Sequence, residues 1–411
     1  MNSMFWRNIT QLFRDVKHQK LRTTLTVFGI VWGSVAIILL LTFGRGLYQV
    51  SMKAAHGMGE GICIMWPGRT SMTYQGMPRG RFIRFKEEDA AFLKKQIPEL
   101  GLISPEYSSN VSVRVGKEGY MSNISGVYPS FKELRNMVPR QGGRFINQLD
   151  LQQRRRSVFI GNEVENDLFG EGQGLGKTIM ISGSPFTVVG VLQEKIQNSN
   201  YNGSDGSRIV IPATTYQGIF GSQYINNMVF QADRIELTEH IKNRVYQVLG
   251  RRYRFNPEDR EALAIWDTTM MDEFFNTFFT GFSIFLAIVG SMTLIVGGIG
   301  VSNIMNVVVE ERTREIGIKK ALGGKNRMIL GQFLLETLLI VALGGILGYL
   351  ISLTIVSVVN LLDLQKYIGT LTISPLITLI TVMLLGLIGL IAGWFPARRA
   401  AKMDPVLAIR K

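Results

Sequence analysis

The stretch that decides the fold is VVVEERTREIGIKKALGGKNRMI, residues 307–329 in the C-terminal half of the chain. It holds six basic and three acidic residues, yet it lies between two apolar segments. No Asp, Glu, Lys or Arg occurs in the 34 residues 276–309, and the first charge after Arg327 is Glu336. Uncharged runs of this length are candidate membrane-spanning helices. The stretch is therefore predicted to be a polar loop between two spans.

Four uncharged runs are long enough to cross a bilayer, which needs about 20 apolar residues. They lie at residues 23–44, within 276–309, and at about 328–362 and 371–397. The first run is longer than the apolar core of a signal peptide and no A-x-A-like site follows it, so we interpret it as an uncleaved anchor.

The positive charge of the chain is concentrated beside these runs. The net charge is +14, but residues 49–275 hold 27 basic and 24 acidic residues, and the remainder holds 18 basic and 7 acidic residues. This distribution is the positive-inside pattern and argues against a nucleic-acid partner. Lys and Arg are abundant in residues 1–22, 310–327 and 398–411, and one occurs in 363–370. With four spans, the three rich segments are predicted to be cytoplasmic and residues 49–275 to lie outside.

The predicted fold class is an α-helical membrane protein with four transmembrane helices and a mixed α/β extracytoplasmic domain inserted between helices 1 and 2. The α/β pattern comes from predicted helices at 85–97 and 236–253 and predicted strands at 111–115, 156–161, 177–182, 186–192 and 208–212. The turn after the third of these strands is predicted at Gly183-Ser184, and the Gly/Ser-rich segment 197–207 is predicted to be a mobile loop.

The predicted boundaries follow the chain in order: a cytoplasmic amphipathic helix at 1–22, transmembrane helix 1 and a stalk at 23–48, the outside domain at 49–275, a stalk and helix 2 at 276–309, a cytoplasmic coupling segment at 310–327, helix 3 at 328–362, a short outside loop at 363–370, helix 4 at 371–397 and a cytoplasmic tail at 398–411.

The residues give little sign of enzyme chemistry. The three histidines are far apart, so no metal-ligand spacing occurs, and the single Cys63 excludes an intramolecular disulfide. EGQGLGKT at 171–178 resembles a phosphate-binding loop, but Glu171 stands where that pattern needs Gly, and the following residues indicate a hairpin instead of a helix. We therefore expect no ATP site, metal or other cofactor in this chain; if the protein uses ATP with Mg²⁺, a partner supplies the site.

Small residues recur in the spans and suggest close helix packing. Gly29, Gly33, Gly297 and Gly300 are the residues we select as packing or dimer positions, with packing inside one subunit and a homodimer face left as alternatives. Glu336 lies about two turns into the third span, and we expect it to pair with a Lys or Arg near the cytoplasmic end.

The coupling segment has the charge order of a stable helix. EERTREIGIKKALGG begins acidic, becomes basic and closes with Gly323-Gly324, as the helix dipole and a C-cap prefer. Either it is a stabilised loop helix, or it is a helix that docks into a partner.

These residues resemble the cytoplasmic coupling segment of MacB-type permeases, in the FtsX-like superfamily of ABC transporter subunits. The resemblance extends over nearly the whole chain. It is carried by HQKLRTTLTVFGIVWGSVAI (18–37), GGIGVSNIMNVVVEERTREIGIKKALGGKNRMI (297–329), FLLETLLIVALGGILG (333–348) and PARRAAKMDPVLAIR (396–410), and by pieces of the outside domain such as VFIGNEVENDLFG (158–170).

The resemblance implies two permease subunits, for which we expect a homodimer, and ATPase subunits on the cytoplasmic side of the bacterial inner membrane. Only about 22 residues precede the first span, so a separate ATPase subunit is expected. ATP-driven closure of the ATPases would be relayed to the outside domain, which is called mechanotransmission. The expected output is efflux of an amphiphile, antibiotic or peptide, with a membrane-fusion protein and an outer-membrane channel as further partners in a Gram-negative cell. A lipoprotein-releasing permease and a signalling subunit that activates cell-wall hydrolases are the alternatives.

On the family pattern, contact with the ATPase is assigned to one group of residues in the coupling segment: Glu311, Arg314, Glu315, Ile316, Gly317, Lys319, Lys320, Leu322 and Gly323. Arg314, Glu315, Ile316 and Lys319 are expected at its centre. Glu315→Arg combined with Ile316→Asp is expected to leave the membrane fold intact and to uncouple ATP hydrolysis.

Overall fold

The computed structural model describes residues 20–116, 118–362 and 364–410. Two compact units result, one of Met1–Val50 with Asn276–Lys411 and one of Ser51–Phe275. We call them the membrane unit and the α/β unit. The predicted amphipathic helix at 1–22 lies outside the described residues, except for its last three, which begin the first described helix.

The helices are, in chain order, α1 (Lys20–Ala55), α2 (Glu88–Gln96), α3 (Phe131–Leu134), α4 (Gln148–Gln152), α5 (Asn162–Phe169), α6 (Ala213–Phe220), α7 (Thr238–Tyr253), α8 (Thr269–Glu311), α9 (Thr313–Ala321), α10 (Asn326–Leu361), α11 (Gln365–Ile368), α12 (Pro375–Ala401) and α13 (Pro405–Arg410). The strands are β1 (Ile62–Pro67), β2 (Leu100–Val115), β3 (Glu118–Val127), β4 (Ser157–Ile160), β5 (Thr178–Ile181), β6 (Ser184–Val191), β7 (Arg208–Pro212), β8 (Asn227–Ala232) and β9 (Leu263–Asp267).

Four described helices are long and apolar enough to cross a membrane, namely α1, α8, α10 and α12. The prediction of four spans with an α/β domain between the first and the second is therefore confirmed. Both α1 and α8 continue as single helices beyond their apolar parts, as the sequence predicts for the approaches to the spans. Their role as a stalk stays a prediction.

Local chemistry explains where the helices of the membrane unit begin and end. Ser374 caps α12 by accepting a hydrogen bond from the backbone N–H of Ile377 at 3.3 Å, and Pro375 occupies the first helical turn. Helix α9 ends just before Gly323, whose φ of +89° is the left-handed conformation that favours glycine. Between α8 and α9 a single residue, Arg312, interrupts the helical path.

Glycines allow the spans to approach one another closely. A Cβ added at Gly348 would lie 2.6 Å from the Cβ of Ser34, which places α10 against α1. A Cβ at Gly393 would lie 2.7 Å from Oγ1 of Thr337, which places α12 against α10. Lipid offers no hydrophobic drive for helices to associate, so close packing of this kind has to hold them together.

The α/β unit is built on one nine-stranded sheet with the order β3-β7-β4-β6-β5-β2-β8-β1-β9. Strand β2 is 16 residues long and also pairs with β3, so six of the strands form a closed ring of pairings. Most pairs are antiparallel, whereas β3–β7 and β4–β6 are parallel. Cys63, on β1, is buried, and burial raises the pKa of its thiol well above the usual range.

The sequence-based predictions for this unit hold for five strands and two helices, with two corrections. The β5–β6 turn is Ser182-Gly183, one residue earlier than predicted, because both of these residues have the positive φ that a two-residue hairpin turn requires. The segment 197–207 was predicted to be a mobile loop, but Tyr201 and Asp205 within it are buried.

Tyr201 and Asp205 contact a buried network of charged side chains, and these contacts hold the segment 197–207 against the sheet. Arg135 donates to Asp205 at 2.6 Å, and the ammonium group of Lys195 lies 2.8 Å from the same carboxylate. Arg208 donates to Glu106 at 2.6 Å and to the backbone carbonyl of Tyr201 at 2.7 Å. Burial alone would raise the pKa of Asp205, but the three surrounding cations hold it below its usual value.

Candidate functional site

The coupling segment contains α9, and an ion pair at its first turn joins it to the third span. Arg312 Nη1 lies 3.2 and 3.3 Å from the two carboxylate oxygens of Glu336 on α10, and both side chains are largely buried. Gln332, one turn earlier on α10, donates to the same carboxylate at 3.2 Å. The prediction that Glu336 pairs with a basic residue is thus confirmed, and its partner is Arg312.

One face of α9 packs against the short C-terminal helix α13. Ile316 is 3% exposed, and a Cβ added at Gly317 would lie only 2.8 Å from the Cβ of Ala408. Ile316 was expected among the central contacts with the ATPase, but here its own chain covers it; contact of the coupling segment with an ATPase stays a prediction. The apolar side chain of Ile316 is enclosed by its own chain, which is where the hydrophobic effect favours it.

The two lysines of α9 also contact their own chain. Lys319 Nζ donates to Oε1 of Gln332 on α10 at 3.2 Å. Lys320 Nζ donates to the backbone carbonyls of Ala401 and Met403 at 2.9 and 2.7 Å, so it caps the C-terminal end of α12. These contacts fix α9 to the third and fourth spans and make the lysines internal braces of the coupling segment.

The opposite face of α9 is exposed. On this face Arg314 and Glu315 lie four and three residues before Ile318, which in a helix places the three on one side. Two further exposed residues flank the face: Glu311 is the last residue of α8, and Leu322 directly follows the end of α9. Leu322 is 84% exposed and Ile318 is 45% exposed. Gly323 follows, exposed, at the end of the helix.

Sequence reasoning missed Arg312 and Ile318. The spacing of Ile318 and Leu322 by four residues was a usable signal for a shared face, but Ile316 is equally apolar, and only the position of α13 decides which isoleucine is covered. Arg312 was one of six basic residues in the segment, and nothing in the sequence distinguishes it from the others.

The four glycines selected for packing or dimer contact differ in how closely other atoms approach them. A Cβ on Gly297 would lie 2.9 Å from the backbone oxygen of Gly29, and a Cβ on Gly33 would lie 2.8 Å from a methyl group of Leu294. Gly29, Gly33 and Gly297 therefore bring α1 and α8 of the same chain together. A Cβ on Gly300 would meet no atom within 4 Å. The homodimer face stays a prediction.

Two family models match the chain and together cover most of it. Residues 23–248 match the MacB-like periplasmic core domain, and residues 278–405 match the FtsX-like permease C-terminal domain. These two segments correspond to the inserted α/β unit with the first span, and to the last three spans with the coupling segment.

Curated relatives are similar along nearly the full chain. A macrolide export ATP-binding/permease protein MacB from Wolinella succinogenes is 30% identical over 406 residues, which is 97% of this chain and 59% of that protein. Proteins with the same printed name from Bdellovibrio bacteriovorus and Escherichia coli K12 are each 28% identical, over 98% and 100% of this chain. The chain spans about three fifths of the length of these relatives; the share is 61% for the proteins from Bdellovibrio bacteriovorus and Escherichia coli K12.

Among solved structures, the periplasmic region of MacB from Actinobacillus actinomycetemcomitans is 19% identical, with a TM-score of 0.43, and the match covers 56% of this chain and 98% of that one. The extracellular domain of the transporter YknZ from Gram-positive bacteria gives a TM-score of 0.42 at 18% identity, covering 50% of this chain and 99% of that one. The two family models, with the four apolar helices and the inserted α/β unit, identify the chain as a member of the MacB-like and FtsX-like family of permeases.

Proposed function

We propose that this chain is the permease subunit of an ABC transporter and that the exposed face of α9 binds a separate cytoplasmic ATPase subunit. ATP and Mg²⁺ are bound by that partner. The N- and C-termini lie in the cytoplasm, the α/β unit lies outside the inner membrane, and a second copy of the chain completes the complex. Closure of the ATPases moves the coupling segment, and the movement reaches the α/β unit by mechanotransmission to drive efflux of an amphiphile, antibiotic or peptide.

The observation that carries this proposal is the two-sided character of α9. Its inner face is bound to the third and fourth spans through Arg312, Ile316, Lys319 and Lys320. Its outer face leaves Ile318 and Leu322 in contact with solvent, and an isolated helix of nine residues gains nothing from that exposure. Exposed apolar anchors on a rigid support are what a protein interface needs.

Charge on the same face suits a protein partner. Glu311, Arg314 and Glu315 surround the apolar anchors with both signs of charge. A mixed polar rim around an apolar centre favours specific protein contact. Membrane surfaces, in contrast, attract clusters of like positive charge.

The binding step is tested by affinity purification of the tagged full chain from its native membrane in mild detergent, followed by mass spectrometry. We expect an ATPase with a Walker motif to copurify with the wild type. Leu322→Asp should abolish copurification without lowering the melting temperature, because the side chain makes little contact with its own chain.

Leu361→Asp is the matched control. Leu361 is also 84% exposed but ends α10 far from α9 along the chain, so this variant should retain the ATPase. Absence of any ATPase from well-folded wild-type protein would overturn the proposal, as would equal recovery with Leu322→Asp. Copurifying fusion and channel proteins would support efflux, whereas cell-wall hydrolases in their place would contradict it.

A further inference from the structure

A pocket of about 490 Å³ opens between three helices of the membrane unit. It lies at the end of the unit where α1 leads into the α/β unit along the chain, and α1, α8 and α12 each line it. None of its lining residues is acidic. The pocket is formed within one chain, and its position differs from that of the coupling segment, which connects α8 and α10.

The outer end of this pocket is polar and positively charged. Arg45 projects from α1, and in the described part of the chain it forms no ion pair. One turn further, the hydroxyl of Tyr48 donates to Oδ1 of Asn276 at 2.7 Å, which closes the pocket with a polar bridge. Ser374, the cap of α12, adds the positive end of a 27-residue helix on the third side.

The deeper end is apolar. On α1, Leu41 lies one turn below Arg45, and on α12, Ile380 lies below Ser374. Along α8 the lining runs from Asn276 to Ala287, a rise of about 16 Å. On α1 and α12 the lining changes from polar to apolar with depth. On α8 the hydroxyl groups of Thr280 and Ser283 line the middle of the pocket, and the deepest lining residues, Ile284 and Ala287, are apolar, so the pocket has a length comparable with that of an alkyl chain.

We propose that this pocket binds an amphiphile with one alkyl chain and an anionic head group. Arg45 pairs with the head group, because an anion removes the cost of an uncompensated guanidinium at the membrane boundary. The alkyl chain lies along Leu41, Ala287 and Ile380. The idea that this ligand is the transported substrate rests on the proposed function. The existence of the binding site does not depend on that function.

The test uses the purified full chain in nanodiscs of zwitterionic phosphatidylcholine, with dodecanoic acid carrying a photoreactive diazirine as the probe. Labelled peptides are mapped by mass spectrometry, and dodecylamine with the same diazirine provides the cationic comparison. We expect the acid to label residues 41–48 and 276–287 about tenfold more than the amine, as one charge-assisted hydrogen bond would give.

Arg45→Gln should remove this difference, whereas Lys53→Gln should not. Lys53 is an exposed cation on the same helix that does not line the pocket, so it controls for general loss of charge. Ala287→Phe, which fills the deep end, should reduce labelling by the acid in a variant that keeps all charges. Equal labelling by acid and amine, or unchanged labelling of Arg45→Gln, would overturn the site.

Two further arms separate the possible sources of the ligand. Phosphatidylglycerol added to the nanodiscs displaces the probe if the natural occupant is a membrane phospholipid, and leaves it bound if the occupant is a transported amphiphile. With the ATPase partner present, the probe should stimulate ATP hydrolysis in the wild type but not in Arg45→Gln. If the probe labels the pocket but does not stimulate ATP hydrolysis, the binding site stands and its role in transport is rejected. Failure of the binding site and failure of the proposed function therefore give different results.

Discussion

At the scale of single residues, the coupling segment depends on Arg312 and Glu336. A carboxylate inside a span is costly unless it has a partner, and here the guanidinium supplies one while Gln332 supplies a further hydrogen bond. Arg312 is the single residue that separates α8 from α9, so the pair joins this break to α10. If the proposed function is right, movement of α9 would reach α8 through the backbone and α10 through this ion pair.

We predict that Glu336→Gln lowers stability by about 3 kcal/mol, because one partner of a largely buried ion pair is removed and the other charge remains. Thermal unfolding in detergent measures this. Arg312→Gln and the double variant complete a double-mutant cycle. If the two single effects simply add, the pair contributes no interaction energy, and the assigned role of Glu336 is wrong.

The combined substitution of Glu315 and Ile316, predicted from the sequence to spare the fold, needs revision at the same scale. Ile316→Asp would bury a carboxylate between α9 and α13, so we now expect this variant to unfold the coupling segment. Glu315→Arg alone, on the exposed face, should leave the melting temperature unchanged and weaken ATPase recovery. A stable Ile316→Asp variant would contradict this revision.

At the scale of helices, α1 packs closely against α8 at glycines, and the tightest backbone contact is at Gly297. We predict that Gly297→Ala lowers the melting temperature by several degrees, because its Cβ would lie 2.9 Å from the Gly29 oxygen and 3.0 Å from the Gly29 carbonyl carbon. The backbone of α1 would have to move.

Gly300→Ala is the control, since nothing lies within 4 Å of its Cβ and alanine favours a helix by about 1 kcal/mol. Its melting temperature should stay equal or rise. If both variants lowered the melting temperature by a similar amount, the close contact between α1 and α8 would not be the reason for the effect of Gly297→Ala. If Gly300 belongs to a homodimer face, Gly300→Leu should weaken chemical cross-linking between copies while the monomer remains stable.

The spans and their order could be predicted from the sequence because uncharged runs and Lys/Arg counts report directly on the cost of charge in lipid. The five predicted strands alternate or cluster apolar residues near clear turn signals. Strands β1, β3, β8 and β9 were not predicted. Their pairing partners are distant in sequence; Ile64 on β1, for example, pairs with Val229 and Trp266. The local sequence pattern therefore carries little information about whether these segments form strands.

The candidate site was predictable only as a region. The segment 310–327 can be predicted from its charge, but which of its residues face outward depends on contacts with Ala408 and Met403, which lie about 80 to 90 residues further along the chain. Helical periodicity alone leaves the rotation of α9 undetermined. This explains why the predicted ATPase contacts include both the exposed Leu322 and the buried Ile316.

At the scale of the whole molecule, the α/β unit contains buried carboxylates as well as an apolar core. Burial tends to raise the pKa of Asp150, Asp205 and Asp259, but their hydrogen bonds and neighbouring cations keep all three pKa values below the usual range. Asp259, for example, accepts from the backbone N–H of Ser71 at 2.7 Å. A lowered folded pKa means that each group stabilises the fold above its unfolded pKa and loses this effect as the pH falls.

We predict that the melting temperature of the α/β unit is constant near neutral pH and falls steeply below about pH 4, the unfolded pKa of Asp. Near-UV circular dichroism of the full chain follows the transition. Asp259→Asn should lower the melting temperature at pH 7 and reduce the additional fall at pH 3, whereas Asp233→Asn, at an exposed position, should do neither. A pH profile that Asp259→Asn leaves unchanged would exclude this carboxylate as a contributor.

Cys63 gives the molecule a practical property. Because the only thiol is buried on β1 and its pKa is raised, it should remain unreactive toward maleimides while the α/β unit is folded. A cysteine introduced on the exposed face of α9 or at the mouth of the pocket would then be the single labelled position in an otherwise native chain. Fluorophores or spin labels could report on each turnover without first removing a natural cysteine.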